Sequence, residues 1–496
     1  MPAVLAVAIG PVDTAIVAVY VVATTALGLL IGRGQADNRE FFLGGRRLPT
    51  WALLVSIVAT ETSTVTFLSV PGLAYAEEGD FRFLQLALGY ILGRLAIVAW
   101  LLPGYFRGEM LTAYQVLEER FGTTTRRLAS LVFLVTRNLA DGLRLFLTAL
   151  ALNIAAGLDM LACILIVTIA TALYSCLGGV RSVVWNDCIQ FGVYMLGACA
   201  ALVLLVWQLP GGWDQLMSFA ESTNRFRLLD FDPSLTKRGV SFWSGLVGGG
   251  FLSLATHGAD QLIVQRYLCA RSRTAAGWAL ALSGVVVFLQ FALFLLIGVA
   301  LRCFYALPST LGDDPAQDEV LMTFVVGHMG TGLRGLILAA VLAAAMSTLS
   351  SSLNSSASSL VNDWLGRRLA AVDERQSLRL ARLLTIVFAV VQAGVAIAAY
   401  QRGLEKSIVM AVLEIAGFAT GLILGLIGLG LLVPRISEGG ALAAFVAGTA
   451  VTGGTACATQ LNGLWYTLVG SGTIVVVGFV LSFVFHRGDR APVSAA

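Results

Sequence analysis

The segment MSTLSSSLNSSASSL (346–360) carries hydroxyls at 347, 348, 350, 351, 352, 355, 356, 358 and 359, inside an otherwise apolar run. At helical spacing Ser347, Ser351 and Ser358 share one face, with Thr348 and Ser355 beside it. Neutral hydroxyl oxygens suit a hard monovalent cation held weakly. Close helix packing through Ser and Thr is the bland alternative, and the hydroxyl density exceeds what packing needs. A second such place is WALLVSIVATETSTVTFLSVPG (51–72), with seven hydroxyl residues from Ser56 to Ser69, plus Glu61 and Pro71. That is too polar for a lipid-facing helix and predicts an unwound segment whose freed carbonyls bind a cation. Packing alone does not account for Glu61.

Three further places break the apolar pattern. In SGLVGGGFLSLATHGADQ (244–261), Gly248, Gly249, Gly250 and Gly258 weaken helix propagation by about 1 kcal/mol each relative to Ala. A broken helix and a tight glycine crossing are equally good readings of that string. In WNDCIQ (185–190) the carboxylate of Asp187 falls inside an apolar run, where it needs a cation or a partner. An N-cap or interfacial position near Arg181 is the equal alternative. In RNLADGLR (137–144), Arg137, Asp141 and Arg144 at helical spacing read as internal salt bridges. Arg94 and Glu414 are expected to pair with other helices, contact with substrate being the alternative. His257 beside the glycines could shuttle protons, but a hydrogen-bonded polar role is the commoner one.

These residues need a bilayer around them. The chain has 496 residues, 57% of them apolar and only 12% charged, and its mean hydropathy is +0.84. A soluble surface cannot be built from so few charges. The net charge of +3, with basic residues dispersed, excludes nucleic acid as a partner. Seven Cys and three His show neither CxxC nor His-x-x-x-His spacing, which argues against a disulfide framework or a transition-metal site. No nucleophile-base constellation suggests an enzyme, and no segment is long enough for a soluble catalytic or signalling domain.

Thirteen runs are long and apolar enough to span a membrane: 11–32, 51–75, 83–106, 128–156, 159–177, 183–208, 240–265, 275–304, 335–361, 380–401, 407–433, 439–459 and 463–485. The first lacks the basic start and cleavage site of a signal peptide. Basic residues fall mostly in alternate loops, the set holding Arg33, Arg46, Arg47, Arg107, Arg120, Arg126, Arg181, Arg266, Arg271, Arg367, Arg435 and Arg487 among others. The opposite loops hold fewer, including Lys237, Arg238 and Lys406, and carry Glu77, Glu78, Asp80, Asp313 and Asp314. This predicts a multi-pass protein of the inner (plasma) membrane with its N-terminus outside and its C-terminus cytoplasmic. Residues 108–121 read as a short surface helix, and an amphipathic piece lies around Trp213–Phe219.

The two interrupted spans lie five spans apart, an odd offset that gives the two halves opposite topology. Paired interruptions of this kind point to an inverted-repeat transporter with its site at mid-membrane. The expected organisation is an extra N-terminal span (1–36), a first five-helix repeat (48–208), an extracellular loop (209–239), a second inverted repeat (240–434), two C-terminal spans (438–486) and a tail (487–496).

Five strings in order resemble the sodium:solute symporter family, which includes sodium-glucose, proline, sialic acid, iodide and multivitamin cotransporters. They are FFLGGRRLPTW (41–51), LTAYQVLEERFG (111–122), GGVRSVVWNDCIQ (178–190), GADQLIVQRYL (258–268) and MSTLSSSLN (346–354). The resemblance implies an all-α integral membrane protein with a LeuT-type 5+5 inverted-repeat bundle. It implies a first sodium held by the Ala59 and Thr62 carbonyls and the Ser347 and Thr348 hydroxyls, with Ala344 offering a further carbonyl. It implies a second sodium in some members, here at Asp187 with Ser347, Ser350 and Ser351, which favours a ligand role for Asp187. By position, Glu61, Thr66, Tyr90, Ser253 and Thr256 are the substrate candidates. Glu61 departs from relatives with Asn or Asp there; it would stabilise sodium, pair with Arg94 or meet a cationic substrate group. The implied function is sodium-coupled import of a small organic solute (sugar, amino acid, carboxylate or sialic acid class) by alternating access, with no obligatory protein partner. Proton coupling through Glu61, Asp187 or His257 is the alternative.

Overall fold

The computed structural model describes residues 10–31, 38–106, 110–236, 239–310, 315–365, 374–403 and 408–485. The tail 487–496 and Arg33, Arg107, Lys237, Arg238, Asp313, Asp314, Arg367, Lys406 and Arg487 lie outside the described residues. The regular structure of the described residues is helical, and their one β feature is an isolated bridge between Leu48 and Ala270. Such a chain can satisfy every backbone group within its own helices, as hydrocarbon requires.

The membrane-scale helices are α1 (Pro11–Ile31), the pair α2 (Thr50–Glu61) and α3 (Thr64–Tyr75), α4 (Leu84–Tyr105), α5 (Thr123–Ala156) and α6 (Met160–Gln208). The second half continues with α7 (Gly249–Gly258), α8 (Gln261–Leu268), α9 (Arg273–Tyr305), α10 (Leu333–Ser359), α11 (Glu374–Gln401) and α12 (Ile408–Leu432). It closes with α13 (Glu438–Ala458) and α14 (Tyr466–Leu481). Ten described helices are long and apolar enough to span, or eleven counting the bent pair as one. The sequence reading of thirteen differs for two physical reasons. The run Met160–Gln208 is two helices meeting at a kink at Gly179 (φ 58°, ψ −173°), a backbone state open to glycine; the second, Gly179–Gln208, is long enough to span, and Met160–Leu173 is a shorter apolar helix. Span 240–265 is divided into pieces too short to cross by themselves.

The predicted unwinding at 51–75 is present. α2 and α3 meet at 62°, across Thr62 (ψ 95°) and Ser63 (ψ 175°), which are extended. The glycine-rich string behaves otherwise. Gly248, Gly249 and Gly250 stay helical, and the break falls after Gly258, at Ala259 and Asp260. Gly245, Gly249 and Gly250 serve a close crossing with α4, while Gly248 lies against Leu464. A Cβ on Gly89 would sit 2.2 Å from the Gly245 oxygen, and one on Gly93 2.4 Å from the Gly250 oxygen. The carboxylate of Asp260 caps the renewed helix by accepting from the Leu262 amide at 2.8 Å.

α10 is the central helix: 94% of its apolar span is buried within the protein. Its hydroxyls therefore face protein rather than lipid. Hydrogen bonds also sort the loops into two ends. At one end Arg46 donates to the Met110 oxygen, Arg126 to Asp363, Arg120 to the Val433 and Pro434 oxygens, and the Ser437 amide to the Phe485 oxygen. At the other, Asp13 accepts from the Gly332 and Gly335 amides, Arg82 pairs with Asp230, and Asn462 donates to the Gly239 oxygen. The surface helix expected at 108–121 is shorter, Gln115–Arg120, and the amphipathic piece is Gly212–Ser222.

Candidate ion and solute sites

A helix leaves its last carbonyls without amide partners. Because α2 stops at Glu61, the carbonyls of Ala59 and Thr60 are freed in the protein interior. α10 passes directly beside them. The Ser347 hydroxyl lies 2.9 Å from the Ala59 oxygen and 3.0 Å from the Ala344 oxygen, and the Thr348 hydroxyl lies 2.9 Å from the Thr60 oxygen. All four residues from the two helices are essentially fully buried. Five neutral oxygens thus converge from a helix break and a facing helix. Among the described residues no three His, Cys, Asp or Glu side chains gather, so this donor set suits an alkali cation rather than a transition metal. Ala59, Ser347 and Thr348 come together as expected. The Thr62 hydroxyl donates to Gln290 at 3.0 Å and its amide to the Val58 oxygen. The second carbonyl facing α10 is that of Thr60, two residues earlier.

Asp187 is buried on α6, and its carboxylate accepts from Ser56 at 2.5 Å and Thr60 at 3.4 Å. Arg266, on α8, reaches the same oxygen at 3.2 Å. Arg266 also donates to Ser56 at 3.0 Å and to the Ser351 hydroxyl. A guanidinium therefore occupies the space among the groups expected to hold a second cation. Ser350 and Ser351 turn their own hydroxyls to the Ser347 carbonyl, at 3.3 and 2.6 Å. Sequence reading places Arg266 in a loop; the structure buries it to 2% exposure.

Next to the helix break lies a solvent-open cavity of about 120 Å³. Glu61, Thr66, Tyr90 and Thr256 line it, as expected. Ser253 does not: it is buried at the α4–α7 crossing, its hydroxyl donating to the Tyr90 oxygen at 3.1 Å. One helical position separates its face from that of Leu252 and Thr256, which do line the cavity. Residues missed as cavity walls include Phe83, Phe291, His257 and Asp260.

The cavity's charges are compensated internally. Arg94, wholly buried, pairs with Glu61 and donates to Ser283 at 2.8 Å. His257 Nε2 lies 3.0 Å from Arg94 Nη2. Thr256 donates its hydroxyl to the Leu252 oxygen, so His257 Nδ1, 3.0 Å away, donates to Thr256 and leaves Nε2 to accept from Arg94. Arg137 grips Asp141 with two bonds of 2.6 and 2.9 Å, Arg144 pairs with the same carboxylate, and Arg137 lies 3.6 Å from Asp260. The salt bridges read from RNLADGLR are present.

Comparison with known proteins matches this geometry. The chain is 30% identical to the human sodium/iodide cotransporter over 450 residues, covering 89% of this chain and 69% of that protein. It is 30% identical to the sodium/sialic acid symporter NanT of Aliivibrio fischeri over 472 residues, covering 94% and 92%. A solved structure of a Na+-coupled sialic acid symporter, substrate-bound and outward-open, superposes with a TM-score of 0.86 at 27% identity, covering 96% of this chain and 99% of that one. A nucleobase-cation-symport-1 family transporter shares the fold at 15% identity and a TM-score of 0.59. The bent first helix, the buried hydroxyl-rich helix beside it and these likenesses agree on a LeuT-type bundle. A family model matches residues 41–448, and the chain belongs to the sodium:solute symporter family.

Proposed function

We propose that the chain is a sodium-coupled symporter that imports a small polar organic solute, of the sugar, amino acid, carboxylate or sialic acid class, by alternating access. The observation that carries this is the meeting of the Ala59 and Thr60 carbonyls with the Ser347 and Thr348 hydroxyls. A sodium ion there would bridge the broken helix to α10, holding together two elements that must separate when the site opens inward. Because Glu61 and Thr60 are consecutive, the ion would also fix the wall of the solute cavity. Each sodium entering would contribute about 2.3 kcal/mol per 100 mV of membrane potential, plus its gradient.

The compensated charges at Glu61–Arg94 and Asp141–Arg137–Arg144 favour a solute recognised by hydrogen bonds and by the faces of Phe83, Tyr90 and Phe291. We read one sodium rather than two, because the Arg266 guanidinium already supplies a positive charge at Asp187. On this reading residues 48–208 and 240–434 are the two repeats. The arginine-rich loops face the cytoplasm of the cell that carries the protein in its plasma membrane. The test is a thermal-shift screen of purified protein across sugars, amino acids, monocarboxylates and sialic acids, in sodium and in choline, followed by uptake into proteoliposomes. A solute that stabilises only in sodium, and is taken up only down a sodium gradient, supports the reading. Uptake driven by a pH gradient without sodium would replace it with proton coupling.

A further inference from the structure

Three loops far apart in sequence meet at the arginine-rich end of the bundle. The turn after Phe41 and Phe42, both fully buried, runs through Gly44, Gly45 and Arg46 at positive φ (57°, 67° and 55°). Successive residues in this state reverse the chain tightly, and Gly44 packs against Val180 and Arg181 just beyond the Gly179 kink. The following residues are tied to the α8–α9 loop by the Leu48–Ala270 bridge and by Arg271, which donates to the Arg47 oxygen at 3.2 Å. The result is a solvent-open pocket of about 490 Å³, walled by Arg47, Arg181, Arg271, Trp185 and Glu40.

Its chemistry is specific. Among the described lining residues, Arg47, Arg181 and Arg271 are exposed and Glu40 is the one carboxylate, three positive charges to one negative. Trp185 stands edge to face with Trp51, ring centroids 5.5 Å apart, and Trp51 is 56% exposed on the outer surface. Indole pairs of this kind settle at the level of lipid headgroups. Guanidinium groups lining one pocket at that depth match the charge and fork geometry of a phosphate. None of these residues lines the solute cavity.

We propose that this pocket binds the phosphate of an anionic lipid headgroup, pinning the turn at 44–48 to α6 and to the loop before α9. The choice of leaflet rests on the cytoplasmic orientation proposed above; the binding itself does not depend on transport. The probe is purified full-length protein in detergent, examined by native mass spectrometry with phosphatidylglycerol, phosphatidylcholine or inorganic phosphate added. Wild-type protein should retain phosphatidylglycerol in preference to phosphatidylcholine. Retention should fall about fivefold in Arg181→Gln and about 20-fold or more in the Arg181→Gln/Arg271→Gln double variant. Arg181 makes no bond that the turn depends on, so the single variant tests binding apart from folding. Equal retention by wild type and both variants would overturn the proposal. Displacement of the lipid by millimolar inorganic phosphate would overturn the lipid as the source while keeping the phosphate chemistry.

Discussion

The Ser347 hydroxyl stands 2.9 Å from the carbonyl oxygen of Ala59, 288 residues away in sequence. One residue further along each chain segment the relation repeats, Thr348 to Thr60 at 2.9 Å. The doubling follows from antagonistic needs of the two helices. α2 must stop to free its carbonyls, and α10 must continue unbroken to present hydroxyls at consecutive positions. A cation fitted there touches both halves of the molecule, so its binding energy acts on their separation.

The Asp187–Arg266 pair predicts a particular pattern of stability. Removing one partner strands the other as a buried charge, costing about 3–5 kcal/mol. Asp187→Asn and Arg266→Gln should each lower the thermal unfolding temperature sharply, and the double variant should recover much of the loss. Denaturation of the four proteins in detergent checks this. Additive losses would mean that the two groups act separately. Electrical reversal potentials of wild-type protein in liposomes should give one sodium per solute charge-corrected cycle; a value for two would restore Asp187, Ser350 and Ser351 as an ion site.

Glu61 and Arg94 form the next test. Arg94→Gln leaves Glu61 facing His257, whose Nε2 lies 3.4 Å from the Glu61 carboxylate. Arg94→Gln should reduce stability by about 3–5 kcal/mol, whereas Glu61→Gln/Arg94→Gln should fold with smaller loss. If solute recognition runs through hydrogen bonds at Glu61, the folded double variant should also bind solute about tenfold more weakly. Solute titration by calorimetry, once a solute is found, measures it; wild-type affinity in the double variant would remove Glu61 from the solute site.

At the α4–α7 crossing, Gly93→Ala would place a methyl 2.4 Å from the Gly250 oxygen and 2.8 Å from Ser253 Cβ. Backbone must move, at a cost of about 1–3 kcal/mol. Because Arg94 is the next residue, the shift should also disturb the cavity wall. Reduced folded yield and a lower unfolding temperature are expected, while Gly192→Ala, with nothing near its Cβ, should behave as wild type. Equal stability of the two variants would contradict the close crossing.

Much of the ion site is legible from residue types, because hydroxyls in a membrane span need a purpose and a helix interrupted beside Glu61 must free carbonyls. The register is less legible. Sequence reading names the Thr62 carbonyl beside that of Ala59, and the structure shows Thr348 bonded to the Thr60 carbonyl; the residue at which α2 ends, which no local pattern fixes, decides which carbonyls α10 meets. Arg266 escaped notice because its burial is set by Asp187, 79 residues earlier, and no local pattern in QLIVQRYL reveals that partner. Ser253 illustrates the third limit. A polar residue on a glycine-rich helix can face cavity or crossing, and the backbone contacts of Gly89 and Gly93 decide which. The glycines of 248–250 read equally as break or crossing until α4 is seen against them.

Sodium titration of thermal stability, in wild type and in Ser347→Ala and Thr348→Ala, tests the ion site most directly, since it needs no knowledge of the solute. A ligand bound only by the folded state stabilises it by about 2.7 kcal/mol at one hundred times its dissociation constant. Wild-type protein should unfold at progressively higher temperature as sodium replaces choline at constant ionic strength. Each variant should need about tenfold more sodium for the same shift, and Ser355→Ala, about two turns away on the same helix, should titrate as wild type. Identical sodium curves for wild type, Ser347→Ala and Thr348→Ala would contradict the assignment of these oxygens to the ion.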